Sequence, residues 1–223
     1  MSNASFTRDE VILALDVLYF SGEKHLSKNS PAIAELCTLL QELPIHPMKD
    51  RPENFRNTVG VSEQIYKFSN ERKGIDHKTW KVGTIFHHIA DEFSGHEETL
   101  HEIAACIRRN YAFLAGRSIG NSDFFNDFPE GALLGYLHRT IEMRDGAALP
   151  PAERCDLCQL IVDAIYQPGK SILQRHLTIP PTALDGRKKY TEQDFITVCP
   201  NCHAALHRYR PWLERENCAD ILT

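Results

Sequence analysis

The sequence predicts a mainly α-helical fold with a small α+β unit near its C-terminal end. Long apolar stretches at helical spacing, several of them preceded by capping residues, occupy residues 5–114. Beyond residue 150 the pattern changes to two short β-prone runs, 170–177 and 195–198, followed by a short helical segment. Two Cys-x-x-Cys motifs adjoin these runs, which indicates a metal-stapled strand–strand–helix unit.

Residues 1–115 are predicted to form a helical N-terminal domain, which is a candidate DNA reader. A helix should run from Thr7 to Phe20, because a capping hydroxyl precedes acidic residues and then a run that is apolar nearly all round. Ser30 and Pro31 predict a second helix start, with serine as the cap and proline at the first helical position. Further helices are expected at about 62–70, 77–93 and 97–114.

Residues 116–150 are predicted to connect this domain to a second one that spans 151–223. The stretch 115–128 is rich in Gly, Ser and Asn, which favours a loop. Residues 129–144 then favour a single helix, and the glycine and prolines between 146 and 151 end it.

Composition and charge restrict the classes of function. The chain of 223 residues is 42% hydrophobic and carries a net charge of −5, so it is not a generally basic nucleic-acid binder and any DNA contact must come from local patches. No run of about 20 apolar residues is present, so no membrane partner is expected. Seven cysteines without a signal peptide favour a reducing compartment, and we expect a cytoplasmic protein that uses its cysteines for metal.

The strongest motif consists of Cys155 and Cys158, an insert of forty residues, and then Cys199 and Cys202. Two such pairs can complete a closed tetrahedral site, which is the usual form of structural zinc. A simple zinc ribbon has a gap of roughly 15–20 residues, so the longer insert must contain structure of its own. The four cysteines are therefore predicted to bind a structural Zn²⁺.

His203 and His207 follow the second cysteine pair directly. If residues 201–208 are helical, the two imidazoles lie one turn apart on one face, where they can bind a second ion. Imidazole ligands suit Zn²⁺, Ni²⁺ or Mn²⁺, and a carboxylate such as Asp194 widens the choice to Mg²⁺.

The order of strand, long loop, strand, cysteine pair and histidine-bearing helix resembles the ββα-metal domain of HNH endonucleases of the McrA-like restriction type. The matching residues are Cys155, Cys158, Tyr166, Gly169, His176, Pro180, Asp194, Val198, Cys199, Pro200, Asn201, Cys202, His203, His207 and Arg208. A weaker likeness to the front domain of such proteins covers the segments 6–16 and 55–61. Residues Pro129, Glu130, Gly131, Leu137, His138 and Glu142 resemble their connector.

The resemblance implies a metal-dependent DNA endonuclease that hydrolyses phosphodiester bonds, in restriction or defence. It implies His176, Asp194 and His203 as catalytic residues, and an ion bound by His203, His207 and either His176 or Asp194. The alternative is a decayed HNH protein that acts as a zinc-containing DNA-binding or regulatory module.

The chain departs from the family pattern at the histidine pair of the first strand, where it has His176 and Leu177. Counted back from Pro180, His176 falls on the metal-ligand position and Leu177 on the general base. If the strand has lost one residue, His176 is the base and Arg175 stands at the ligand position. The sequence leaves both registers open.

Positive residues near the site are the predicted DNA contacts. Arg187, Lys188 and Lys189 lie in the loop between the two strands, and Arg208 follows the histidines. Such residues would meet phosphates in a complex with DNA. DNA is the predicted partner, and a homodimer is the second association that the sequence allows.

Overall fold

The computed structural model describes residues 3–22, 26–75, 82–117, 119–120, 128–167, 171–182, 190–209 and 212–222. Contacts along the chain divide it into two compact units, Met1–Ser122 and Asp123–Thr223. Within the described residues, no helix is both long enough and apolar enough to span a bilayer.

The first unit is helical, as predicted. Its described helices are α1 (Arg8–Phe20), α2 (Pro31–Glu42), α3 (Thr58–Arg72), α4 (Thr84–Glu92) and α5 (Glu97–Ala115). Helix α1 packs against α2, α4 and α5, and its residues from Val11 to Leu15 are almost completely buried. The expectation that the first helix is central is therefore confirmed, and its nearly continuous apolar sequence is the reason.

Two helix boundaries differ from the prediction. Helix α3 begins at Thr58 rather than near residue 62, because the Asn57 side chain accepts a hydrogen bond from the Gly60 amide at 2.8 Å and caps the helix earlier. Helix α4 begins at Thr84, whereas the prediction started at 77; residues 77–81 of that prediction lie outside the described part of the chain.

The described elements of the second unit are α6 (Gly131–Arg144), β1 (Gln174–Leu177), β2 (Phe195–Val198) and α7 (Pro200–Tyr209). The strands pair antiparallel, with His176 opposite Ile196. Strand β1 is shorter than the predicted 170–177. The Ser171 side chain accepts a hydrogen bond from the Leu173 amide at 3.2 Å, and this local bond competes with strand pairing.

Two sets of packing contacts hold the strands and helices of this unit together. Apolar side chains of β2 and α7 pack with the cysteine pairs in one core cluster, which consists of Cys155, Ile196, Val198, Cys199, Cys202, Leu206, Leu213 and Cys218. Helix α6 packs on β1. The turn after α6 approaches β1 so closely that a Cβ at Gly146 would lie 2.7 Å from the Arg175 Cβ, so only glycine fits there.

Candidate metal centres

The four predicted zinc ligands come together. The Sγ atoms of Cys155, Cys158, Cys199 and Cys202 all lie within 4.8 Å of one another, and none of these cysteines forms a disulfide. The Cys158 and Cys199 sulfurs are 3.7 Å apart. Sulfurs about 2.3 Å from one tetrahedral zinc are separated by about 3.8 Å, so the cluster can hold a structural metal such as zinc.

Local backbone geometry builds the first cysteine pair into a tight turn. The Cys155 amide donates to the Leu160 carbonyl at 2.9 Å, and the Gln159 amide donates to the Cys155 carbonyl at 3.0 Å. Gln159 adopts a left-handed φ of 61°, which lets the chain reverse after Cys158.

Asp156 ties this turn to the sheet. Its amide donates to the Thr197 carbonyl at 2.7 Å, and its carboxylate accepts from the Thr197 amide at the same distance. The second cysteine pair follows the C-terminal end of strand β2. Through Asp156, the first pair is held along the edge of β2 that does not pair with β1.

The electrostatics of the cysteine cluster favour a bound cation. Burial raises the pKa of the Cys155 thiol, but amide hydrogen bonds from the turn and from Cys199 outweigh it and leave the pKa below its usual value. Burial beside the other sulfurs raises the pKa of Cys202. Since four thiolates repel one another at this distance, a cation is what allows all four to be deprotonated together.

A second cluster lies where α6, β1 and α7 meet. Ligand atoms of His138, Glu142, His176 and His207 all lie within 4.8 Å of one another. The Glu142 Oε1 atom is 3.4 Å from His138 Nε2, 3.3 Å from His176 Nδ1 and 3.7 Å from His207 Nε2. It is also 3.1 Å from the Nε2 atom of His203.

Each element contributes to this histidine cluster through its own periodicity. Helix α7 presents His203 and His207 one turn apart, with their Nε2 atoms 3.1 Å from each other. Helix α6 presents His138 and Glu142 at the same i, i+4 spacing. In β1, Gln174 and His176 share a face because they are two residues apart, and the Gln174 Oε1 atom contacts His203 Nδ1.

Burial and charge together set the protonation of the cluster. Burial lowers the pKa of His176 to about 3 and also lowers that of His203, so both imidazoles are neutral and can offer a lone pair. Burial opposes charge on His207 as well, but Glu130 and Glu142 raise its pKa to about 9. Burial favours the acid form of Glu142, yet the surrounding histidines hold its pKa well below the usual range.

The cluster fits a divalent ion. Among the described residues, His176 Nδ1, His207 Nδ1 and Glu130 Oε2 are buried polar atoms without a hydrogen-bond partner. Ligand atoms about 2.0–2.2 Å from a common ion lie roughly 3–3.6 Å apart, which matches most of the distances to Glu142 Oε1. Imidazoles with one carboxylate suit Zn²⁺, Ni²⁺ or Mn²⁺.

Other predicted residues have different surroundings. The Asp194 carboxylate accepts from the Thr191 amide at 2.8 Å as part of a capping box, and Asp194 does not belong to the group of ligand atoms within 4.8 Å of one another. Arg175 donates to Thr197 Oγ1 and to the Pro150 carbonyl. Leu177 contributes backbone only: its amide donates to Glu142 Oε1 at 3.2 Å, and its carbonyl lies 3.0 Å from His138 Nε2.

Of the predicted DNA contacts, only Arg208 can be placed. It lies exposed near the end of α7, next to His207. Arg187, Lys188 and Lys189 lie outside the described residues. Their role therefore stays a prediction.

Sequence reasoning missed three side chains of the histidine cluster, Glu130, His138 and Glu142. It assigned them only to a connector by resemblance. The i, i+4 spacing of His138 and Glu142 within a helix was the available signal, because it places both side chains on one face. No pattern within the sequence indicates that this face meets β1.

The histidine cluster is closed to solvent. Its histidines and Glu142 are at most 4% exposed. The ring of Phe128 stacks on His207 with centroids 4.3 Å apart and covers it further.

No protein-family model, curated protein or solved structure matches this chain significantly. Function is therefore inferred from the two clusters themselves.

Proposed function

We propose that this protein is a metal-dependent DNA endonuclease of the HNH type that acts in restriction or defence. The observation that carries the proposal is the convergence of His176, His203 and His207 around Glu142 Oε1, on a strand–strand–helix unit stapled by four cysteines. In this arrangement His176 takes the ligand register, since its ring faces the two α7 histidines while Arg175 bonds to Thr197.

The proposed chemistry is phosphodiester hydrolysis. A divalent ion in the cluster would act as a Lewis acid that stabilises negative charge on the phosphate and on the leaving oxygen. His176, His203 and His207 would hold this ion together with Glu142, and Gln174 would orient His203 by accepting from its Nδ1. Arg208, exposed beside the cluster, would contact a DNA phosphate.

Position 177 determines how fast such an enzyme works. A leucine there cannot accept a proton from the attacking water. General base catalysis typically contributes 10²–10⁴-fold, so we expect slow cleavage.

Two observations favour a second candidate, a catalytically silent HNH protein that binds DNA or regulates. Catalytic metal sites keep an open position for water or substrate, whereas the ligands here are at most 4% exposed. The side chain of Leu177 is also buried and apolar. In this candidate the second ion would stabilise the unit rather than act on a phosphate.

Plasmid cleavage distinguishes the two candidates. The full chain, the variant His203→Ala and the control His88→Ala are incubated with supercoiled plasmid and Mn²⁺ or Mg²⁺. His88 is the matched control because it is an exposed histidine on α4, in the other unit. If the protein is a nuclease, the wild type and His88→Ala nick the plasmid slowly, and His203→Ala does not nick it. His203→Ala must still contain at least one zinc ion per chain, which shows that the four-cysteine site is intact.

The remaining outcomes each favour one conclusion. If no chain cleaves but the wild type retards DNA in a gel, the silent module is correct. If cleavage persists in His203→Ala, it does not originate in the histidine cluster and the proposal is wrong.

A further inference from the structure

A second carboxylate, that of Glu130, lies behind the histidine cluster. Its side chain is completely buried. Its Oε1 atom is 3.3 Å from His138 Nδ1 and 3.7 Å from His207 Nδ1. Its Oε2 atom has no hydrogen-bond partner within the described part of the chain. An unpaired buried carboxylate oxygen is costly, so its placement calls for a compensating charge nearby.

The turn before α6 directs Glu130 inward. The Gly131 amide donates to the Phe128 carbonyl at 2.8 Å, and Gly131 has a φ of 82°, a conformation that side chains strongly disfavour. The same turn supplies the Phe128 ring that stacks on His207. Phe128 therefore covers the ring face of His207, and Glu130, two residues later in the chain, faces its Nδ1 edge.

The two nitrogens of His207 consequently face different groups. Nδ1 faces Glu130, while Nε2 lies 3.1 Å from His203 Nε2 and 3.7 Å from Glu142 Oε1. When an ion displaces the proton from Nε2, a proton kept on Nδ1 by Glu130 leaves the Nε2 lone pair directed at the point where the other ligands converge. Carboxylates in this outer position commonly fix the tautomer and orientation of ligating histidines.

We propose that Glu130 is the positioning residue of the second metal centre. It selects the Nε2 lone pair of His207 for the ion and supplies, with Glu142, the second negative charge that balances a divalent cation in a closed site. This inference rests on the metal centre of the proposed function, but it holds whether or not the protein cleaves DNA, because both candidate functions use the ion.

Ion affinity tests the proposal without reference to cleavage. The isosteric variant Glu130→Gln removes the charge and keeps the size. The full-length chain, with its zinc measured, is titrated with Mn²⁺ in a calorimeter. We expect the dissociation constant of Glu130→Gln to rise 10–100-fold, the range typical for loss of an outer carboxylate. Glu192→Gln, at an exposed glutamate of the same unit, should bind as the wild type does.

A double-mutant cycle shows whether Glu130 acts through His207. If it does, Glu130→Gln weakens Mn²⁺ binding much less in a His207→Ala background than in the wild type. Equal losses in the two backgrounds would overturn the positioning role. Should Glu130→Gln not fold, Glu130→Asp takes its place: it keeps the charge but withdraws it from His207, and weaker binding is again expected.

The outcomes separate this proposal from the preceding one. A wild type that binds no second ion refutes the metal centre itself, and with it both proposals. A wild type that binds Mn²⁺ while Glu130→Gln binds it equally well refutes only the role of Glu130. Weaker binding in Glu130→Gln, with cleavage absent from every chain, supports the role of Glu130 in a silent protein.

Discussion

Glu10 in the first unit and Glu142 in the second are both buried, but they have very different partners. In the first unit, Glu10 receives hydrogen bonds from Arg56 Nε at 2.6 Å and from the Thr7 amide at 2.8 Å, and it lies 3.1 Å from His46 Nε2. In the second unit, Glu142 is surrounded by four histidines, accepts one amide hydrogen bond, and has only a long contact with an arginine, Arg139, at 3.5 Å.

The first arrangement is complete and the second is not. Arg56 also donates to the Ala4 and Ser5 carbonyls and stacks over Phe6, so all of its guanidinium nitrogens have partners. Around Glu142, nitrogens of two histidines and an oxygen of Glu130 lack hydrogen-bond partners within the described residues. Since buried polar groups are nearly always satisfied, a cation in the second cluster, as proposed above, would account for this difference.

The largest expected effect comes from removing the zinc site that supports the unit around Glu142. Cys199→Ser should abolish zinc binding, which is worth about 10–16 kcal/mol in small zinc modules, and prevent β1 and α7 from coming together in the histidine cluster. The helical first unit should remain folded. Zinc analysis and limited proteolysis measure this, with Cys37→Ala, at a buried cysteine of α2, as control. Freshly purified wild type without zinc would contradict the prediction.

The next effect tests whether Glu10 depends on its arginine. Arg56→Met leaves a buried carboxylate without its main partner, and we expect the free energy of unfolding to fall by about 3–5 kcal/mol. Arg72→Met is the matched control, because the Arg72–Asp91 pair is exposed and such pairs contribute about 0–1 kcal/mol. Denaturant unfolding measures both. If Arg56→Met and Arg72→Met lower the free energy of unfolding by equally small amounts, the buried Arg56–Glu10 pair is not needed for stability.

A smaller effect distinguishes Glu142 from Glu10: only the site around Glu142 is expected to contribute to stabilisation of the fold by bound metal. At a Mn²⁺ concentration 100 times the dissociation constant, the wild type should gain about 2.7 kcal/mol in its free energy of unfolding. Glu142→Gln should lose most of this gain because it removes the carboxylate at the centre of the cluster. Arg56→Met should keep it. Thermal unfolding with and without Mn²⁺ gives the result, and a gain retained in Glu142→Gln would exclude Glu142 as a ligand.

The smallest effect is on how the free energy of unfolding changes at acid pH. Burial alone would raise the pKa of Glu10, but His46, Arg56 and the Thr7 amide lower it below the usual 4.5. A carboxyl whose pKa is lower in the folded state stabilises the fold above the unfolded-state pKa, and this stability is lost as pH falls further below 4.5. Glu10→Gln should therefore lose less stability between neutral and acid pH than the wild type. Parallel curves of unfolding free energy against pH would contradict this.

The sequence by itself determined the features that depend on local spacing. Capping residues and apolar periodicity predicted the helices of the first unit, apart from the starts of α3, where Asn57 caps earlier than the apolar pattern suggests, and of α4, which begins at Thr84. The Cys-x-x-Cys spacing predicted the four-cysteine cluster that can hold a metal. The i, i+4 spacing of His203 and His207 placed both imidazoles on one face of α7.

Only the tertiary structure decided which surfaces meet. It brings His138, Glu142 and Glu130 of α6 and the preceding turn against His176 and His207, and it binds the Asp194 carboxylate to Thr191. Periodicity fixes the face on which a side chain lies, but contacts between residues as far apart in the chain as Glu130 and His207 depend on how whole faces pack. Metal ligands that lie on one helix can therefore be predicted from the sequence, whereas a ligand set contributed by three separate elements cannot.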